Sequence, residues 1–318
     1  MQDRIIDFLR KKQGYISGEE ISNNLNISRQ ALWKHIQELK ESGYEITAVP
    51  HLGYRLISSP DRLYPSEITR KLHTKFIGKK VSYFEAASST MDLAWQMAMK
   101  GASEGTLIVA ETQSKGRGRL GRTWSSPKYK GIYISLILRP KISPDQASIL
   151  TLLSAVSICE AVKEITGLET KIKWPNDLLL GNKKLGGILT ELNAEMDEVR
   201  YVVIGIGLNV NNGKASLISS ATSLKEHKGE SVGRIELLQE ILRRIEANYC
   251  VFQEKGNQDI IEKWRNYSVT LGKRIRVVCQ KHSLEGHAVD IDSDGGLLLR
   301  QDSGLTQKIM SGDVVHCR

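Results

Sequence analysis

The spacing of apolar residues changes twice along this 318-residue chain, and each change limits what the segment can become. Side chains sharing a face lie three or four apart on a helix and two apart on a strand. The first stretch is helical. Ile5, Ile6, Phe8 and Leu9 give residues 3–12 one apolar face. Ser17-Gly18-Glu19-Glu20 opens a second short helix, the serine capping and Glu20 completing a capping box, with Ile21 and Leu25 inside. Asn26-Ile27-Ser28 is a turn, and Ser28 caps a third helix from Arg29 to Glu41, stopped by Gly43. Leu32, Ile36 and Leu39 mark its inner face, so Arg29, Gln30, Trp33, Lys34 and Gln37 point elsewhere. Two short strands, 44–49 and 54–57, flank Pro50-His51-Leu52-Gly53. A short helix pair followed at once by a hairpin predicts a winged helix-turn-helix over 1–60, with Ser28, Arg29, Gln30 and Lys34 as DNA contacts and Arg55 on a wing phosphate.

Ser58-Ser59-Pro60-Asp61 reads as a linker, and a mixed α/β unit over 61–268 follows it. Strands are expected at 81–84, 106–110, 131–138, 178–180, 185–192 and 201–206. Ser88-Ser89-Thr90 should cap a helix running to Lys100, Ser143-Pro144 should open a long apolar helix through Ile165, and 234–252 is amphipathic. The last segment, 269–318, turns to period two: Ile275, Val277 and Cys279 alternate with polar residues. Asp294-Gly295-Gly296 and Asp302-Ser303-Gly304 supply hairpin turns, so a small five-stranded barrel is expected. The fold class is α+β, multidomain.

Composition excludes several functions. No run approaches the ~20 apolar residues of a membrane helix. Residues 1–12 lack the pattern of a signal peptide. The four cysteines, Cys159, Cys250, Cys279 and Cys317, form no Cys-x-x-Cys pair, which argues for a reduced cytoplasm rather than a disulfide or zinc scaffold. The net charge of +9 is concentrated: 111–130 holds Lys115, Arg117, Arg119, Arg122, Lys128 and Lys130 against Glu111 alone. So local a focus suits a small anion such as a nucleotide phosphate.

That focus contains Gly116-Arg117-Gly118-Arg119-Leu120-Gly121, a letter-for-letter G-x-G-x-x-G. A dinucleotide fingerprint needs a helix directly after it, and here Arg122-Thr123-Trp124-Ser125-Ser126-Pro127 and a strand follow, so a Rossmann site is rejected. Walker's G-x-x-x-x-G-K-[ST] is absent too. Glycines alternating with arginines instead describe a mobile anion-binding loop, whose amides approach the anion while guanidinium forks bind it in pairs. Three further clusters follow: Lys173-Trp174-Pro175-Asn176-Asp177, Lys183-Lys184-Leu185-Gly186-Gly187-Ile188, and Gly205-Ile206-Gly207-Leu208-Asn209. In each, a turn or glycine pair lets charge or backbone approach a ligand.

Taken in this order, the four motifs resemble those of the biotin–protein ligases, and with the helix-turn-helix in front the chain resembles their bifunctional form, which is also a biotin operon repressor. The resemblance implies a winged helix, a central mixed sheet with helices and an SH3-like barrel. It implies activation of biotin by ATP to biotinyl-5′-AMP, then transfer to a lysine of the biotin carboxyl carrier domain of acetyl-CoA carboxylase or a related carboxylase. Magnesium is expected with ATP, though no metal-ligand cluster is visible. By match to the family, Lys184 bridges biotin carboxylate and α-phosphate, Arg117, Gly118 and Arg119 order the loop over the adenylate, and Asp177 orients Lys184 or the incoming lysine. Ser89, Thr90 and Gln113 contact the ureido ring; Lys173, Asn176, Asn209 and Thr222 lie near the nucleotide. Where the family often has Asn after the Ser-Thr pair, this chain has Met91. A homodimer promoted by biotinyl-5′-AMP on operator DNA is the implied regulatory state. The readings left open are a lipoate-type ligase, whose Arg-Arg-x-x-Gly-Gly-Gly run is missing, a ligand-sensing transcription factor without catalysis, and a ligase that no longer binds DNA.

Overall fold

A computed structural model describes the whole chain except Gln13, 279–282, 317–318 and the side chain of His316; Cys279 and Cys317 therefore lie outside the described residues. The chain folds as two compact units, Met1–Arg62 and Leu63–Arg318.

The first unit holds α1 (Gln2–Lys11), α2 (Gly18–Leu25), α3 (Arg29–Glu41) and an antiparallel hairpin of β1 (Glu45–Val49) and β2 (Gly53–Ser58). The caps are those the sequence supplies: Ser17 Oγ accepts from the amide of Glu20 and Ser28 Oγ from that of Ala31, both at 3.1 Å. Ile5, Ile6, Leu9, Ile16, Ile21, Leu32, Ile36 and Leu39 form its interior. At Gly53 (φ +104°) a Cβ would lie 2.0 Å from the carbonyl oxygen of Ile16, because β2 there runs against the segment entering α2.

The second unit opens with α4 (Pro65–Thr69) and β3 (Val81–Phe84); α5 (Thr90–Met99) then crosses over to β4 (Leu107–Ala110). β5 (Gly131–Leu138), α6 (Ala147–Thr166), β6 (Thr170–Lys173), β7 (Asp177–Leu180), β8 (Lys183–Glu195) and β9 (Glu198–Asn209) follow. Seven strands form one sheet in the order β3-β4-β5-β9-β8-β7-β6, parallel between β3 and β4 and antiparallel elsewhere. α7 (Leu224–Lys228), α8 (Arg234–Lys255) and α9 (Gln258–Tyr267) complete the helices. α6, α8 and α9 cover one face of the sheet through the main core, including Leu150, Leu153, Ile158, Leu238, Ile241 and Trp264. α5 sits on the other, where Met91, Ala94 and Ala98 meet Ile108, Ile137 and Val203. Alternation along β4 and β5 sends neighbouring residues to opposite faces.

Three expectations are corrected. The helix predicted from Ser143-Pro144 begins with a 3-10 turn over Pro144–Gln146, and α6 proper starts at Ala147. Ser89 precedes α5 but its hydroxyl makes no cap bond. The C-terminal strands β10 (Arg274–Val278), β11 (Ser283–Ile291), β12 (Leu297–Arg300), β13 (Thr306–Ile309) and β14 (Asp313–His316) form an open antiparallel sheet in the order β13-β12-β11-β10-β14. Among the described residues the expected barrel is not closed, because β13 and β14 are its edges. Ile275, Val277, Leu297 and Leu299 join the main core, and Trp174 Nε1 donates to the carbonyl of Gly295 at 3.1 Å.

Candidate active site

Three glycines lie on the α5 face of the sheet. Gly187 on β8 and Gly207 on β9 are paired, and Gly205 lies two residues along β9 on the same face. A Cβ on Gly207 would stand 2.5 Å from the indole of Trp124, and one on Gly205 2.5 Å from the sulfur of Met91. One on Gly187 would lie 3.5 Å from Cε of Lys184. Gly186 faces the opposite way, where a Cβ would meet the carbonyl oxygen of Gly207 at 2.9 Å and Leu208 of the main core at 3.0 Å. Gly205 and Gly207 therefore make room for Met91 of α5 and for Trp124 against the sheet.

Lys184 enters β8 at its start, and Asp177 begins β7. Nζ of Lys184 is 2.6 Å from Oδ1 of Asp177 and 5.7 Å from the ring centre of Trp124. The backbone of Lys184 pairs with the 220–222 segment, and Asn209 Nδ2 donates to the carbonyl of Thr222 at 3.1 Å. Lys184, Asn209 and Thr222, far apart in sequence, are thus joined. Asn176, in the turn before β7, donates to the carbonyl of Ile188 at 2.8 Å and accepts from Arg119 at 3.2 Å. Lys173 lies opposite Asp177 in the β6–β7 register, half-buried.

The glycine–arginine loop is an irregular hairpin rather than an unstructured excursion. The amide of Trp124 donates to the carbonyl of Gly116 at 2.8 Å, and that of Gly118 to the carbonyl of Arg122 at 2.7 Å. Leu120 turns the tip with φ +54°. Arg117 pairs with Glu191 at 2.7 Å and Asp92 at 2.9 Å, and the hydrogen bond to Glu191 raises its already high pKa. Arg119 also donates to the carbonyl of Gly312 at 3.3 Å, and Arg122 pairs with Asp313, so the C-terminal sheet touches the loop. Burial draws the pKa of Arg119 below the usual guanidinium range, against the opposite pull of Asp313 and Asp177.

Beside Trp124 the surroundings become polar but uncharged. Gln113 Oε1 accepts from the amide of Thr90 at 2.9 Å and from its hydroxyl at 3.1 Å. Its Nε2 donates to Ser126 Oγ at 2.9 Å, and Ser135 Oγ donates to Thr90 at 2.9 Å. Ser89 Oγ and Trp124 Nε1 are buried with no hydrogen-bond partner. Unpaired buried polar groups are rare and costly, and two of them in one cluster suit a ligand carrying amide-like groups.

The structure thus brings Ser89, Thr90, Gln113, Arg117, Gly118, Arg119, Asn176, Asp177, Lys184, Asn209 and Thr222 to one side of the sheet. Trp124 joins them as a contact that its place at the end of the glycine–arginine motif did not reveal. Ser126, Asp92 and Glu191 join them too, and they carry no local signal in the sequence. Among the described residues no group of three or more His, Cys, Asp or Glu converges as a metal site.

In the first unit, Arg29, Gln30, Trp33 and Lys34 are exposed on α3 and Arg55 on β2. Arg29 pairs with Glu19 at 2.8 Å, an exposed contact of little strength. Ser28 is occupied in capping α3.

Residues 83–209 match the Biotin/lipoate A/B protein ligase family, 2–55 an HTH domain and 270–317 the Biotin protein ligase C terminal domain. The Bifunctional ligase/repressor BirA of Bacillus subtilis is 42% identical over 98% of this chain and 97% of its own. Its namesake from Escherichia coli is 29% identical over 94% and 92%. A solved biotin protein ligase from Aquifex aeolicus, in complex with biotin and ATP, superposes with a TM-score of 0.64 at 31% identity, covering 76% of this chain and 99% of its own. The motifs, the sheet that carries them and the helix-turn-helix ahead of it agree with these matches along almost the whole sequence: the chain belongs to the biotin–protein ligase family, in the bifunctional ligase/repressor form.

Proposed function

We propose that this protein activates biotin with ATP and transfers it to one lysine of a biotin carboxyl carrier domain, and that its first unit represses biotin genes when the adenylate is bound. The observation that carries the reading is the juxtaposition of Lys184 with an uncharged cluster holding two unpartnered buried groups, Ser89 Oγ and Trp124 Nε1. A ureido ring supplies N–H and C=O groups for Ser89, Thr90 and Trp124, with Gln113 holding Thr90 in place. The valerate carboxylate then lies toward Lys184.

In the first step a carboxylate oxygen forms a bond to the α-phosphorus, the bond to the β-phosphate oxygen breaks, and pyrophosphate leaves. The nucleophile is already ionised, so the site must align the two anions and neutralise their charge. Asp177 holds Lys184 in place before the substrates arrive, and Lys184 then turns to the carboxylate and α-phosphate. Arg119, partly stripped of water, gains strongly from an arriving anion. With Arg117 and Gly118 it closes the loop over the adenylate and excludes water. Lys173, Asn176, Asn209 and Thr222 flank the nucleotide. In the second step the neutral acceptor amine attacks the acyl carbon, AMP leaves with the bonding pair, and the nitrogen gives up one proton to solvent as the amide forms.

Magnesium comes with the nucleotide. Such an ion binds mainly through phosphates and one or two carboxylates; Asp177 is the carboxylate that would hold it here, and when bound it would supply charge neutralisation at the phosphates. The reaction belongs in the cytoplasm, where the free thiols of Cys159 and Cys250 stay reduced. Residues 1–60 act as the DNA-binding domain, 61–268 as the catalytic domain and 269–318 as the segment that backs the loop. The adenylate-bound protein forms a homodimer whose two heads meet two operator half-sites.

Mass spectrometry of a purified carrier domain after incubation with the protein, biotin and ATP tests the reading. One biotinyl group on one lysine, dependent on ATP, is the expected result. An unmodified carrier with no pyrophosphate released would overturn it.

A further inference from the structure

Residues 112–130 leave the sheet after β4 and return at β5, and the neck of this loop differs from its tip. At the neck, Arg234 in the first turn of α8 donates to Glu111 Oε2 at 2.7 Å and to the carbonyl of Gly131 at 3.0 Å. Glu111 Oε1 accepts from the amide of Leu63 at 2.8 Å. Both charged side chains are completely buried. Above the neck the arms are cross-linked: Tyr129 N to Glu111 O at 3.3 Å, and Thr112 Oγ1 to Ser126 O at 2.7 Å. Towards the tip the ion pairs are partly exposed: Arg117 with Asp92 and Glu191, Arg122 with Asp313, Lys128 with Glu85. Exposed pairs contribute little in water and exchange partners easily.

A buried ion pair is a poor stabiliser relative to well-packed apolar groups of similar volume. Stability therefore does not explain why Arg234 of α8 joins Glu111 at one end of the ligand loop to the carbonyl of Gly131 at the other. We infer that Glu111 and Arg234 are positioning residues that clamp the neck, so the tip rearranges around a ligand while both stems stay fixed. The inference rests on the reading that this loop encloses biotinyl-5′-AMP. Fixed stems shorten the segment that must be ordered on closure, which lowers the entropic cost of holding the ligand. The clamp acts on ligand retention through the loop, not on the reacting atoms.

The test uses the full chain with the apolar double replacement Glu111→Leu/Arg234→Met and, separately, Arg234→Lys. The double variant should melt near wild type, as apolar replacements of buried pairs often do. Its KM for biotin and its rate of adenylate dissociation should rise about tenfold, with kcat at saturation within about twofold, since only loop ordering is altered. Arg234→Lys, which keeps a cation at Glu111, should recover much of the loss. Unchanged KM and dissociation in a stable double variant would overturn the inference. If the double variant does not fold, Arg234→Lys decides: it should show a smaller rise in both quantities, and wild-type values would overturn the clamp. Hydrogen exchange on the ligand-free chain separates this from the functional reading. In wild type the amide of Tyr129 should exchange more slowly than those of 117–122, and the double variant should lose that difference. A double variant that keeps the difference refutes the clamp even if the protein forms no adenylate, whereas missing adenylate with the expected exchange pattern refutes only the ligase reading.

Discussion

Replacing Gly207 by alanine puts one methyl group under the indole that covers the site. Its Cβ would stand 2.5 Å from Cε2 and 2.6 Å from Nε1 of Trp124, whereas non-bonded carbons rest about 3.5–4.0 Å apart. Something must therefore move by about 1 Å. β9 is bonded on both sides, to β5 and β8, over most of its length, while Trp124 belongs to a loop held near its tip by partly exposed ion pairs. The loop gives first. Overpacking costs about 1–3 kcal/mol, and if it falls on the ligand-binding arrangement it weakens biotin by about 5- to 150-fold. Calorimetric titration with biotin measures this directly, with a melting curve alongside. The expected outcome is weakened binding with little change in Tm. A double variant with Trp124→Ala should bind no worse than Trp124→Ala alone, because the clash has gone. Unchanged biotin affinity, or a large loss of Tm with affinity intact, would refute the placement of Trp124 over the site.

Arg119→Gly removes a guanidinium that joins the loop to Asn176 and Gly312. Biotinyl-5′-AMP should then escape and label lysines of bystander albumin, which wild type leaves unlabelled. Arg29→Ala with Lys34→Ala should reduce operator binding by at least about tenfold, as losing phosphate or base contacts does, while carrier biotinylation measured in parallel stays at the wild-type rate. At Glu85 burial opposes ionisation, but hydrogen bonds from Lys128, Tyr129 and Tyr83 outweigh it and hold the carboxyl at about 2. A folded value below the unfolded one means these bonds stabilise the fold above the ordinary carboxylate range. That stability is lost as pH falls from about 4.5 toward 2. Glu85→Gln should thus melt below wild type at pH 7, with the gap closing over that window in a pH series of melting curves.

The helix-turn-helix was legible because its caps are local: Ser17 and Ser28 bond to amides three residues on. The strands carrying the motifs were legible for a similar reason, since glycine pairs and apolar runs mark them. β6 escaped notice because four residues, Thr170–Lys173, are too few to show a period. α9 buries Ile260, Ile261 and Trp264 but has no side-chain cap to announce its start. Ser89 looked like a cap from its place before Thr90, and only the packing shows that its hydroxyl finds no amide. The open C-terminal sheet follows from how its edge strands lie, which alternation does not reveal. Within the site, the motifs named Lys184 and the arginines. The contacts of Arg119 with Gly312 and of Arg234 with Glu111 join residues 193 and 123 apart, and no local pattern encodes them.

The central claim is that Lys184, set between Asp177 and Trp124, serves the joining of biotin to ATP. Pyrophosphate release in the absence of any carrier domain tests it most directly, comparing wild type with Lys184→Ala at saturating biotin and ATP. Wild type should release about one equivalent rapidly and then slow, because the adenylate stays bound under the loop. The variant should be about 100- to 1,000-fold slower, the scale of losing one preorganised electrostatic group. Pyrophosphate release that does not require biotin, or a variant that keeps the wild-type rate, would contradict the account.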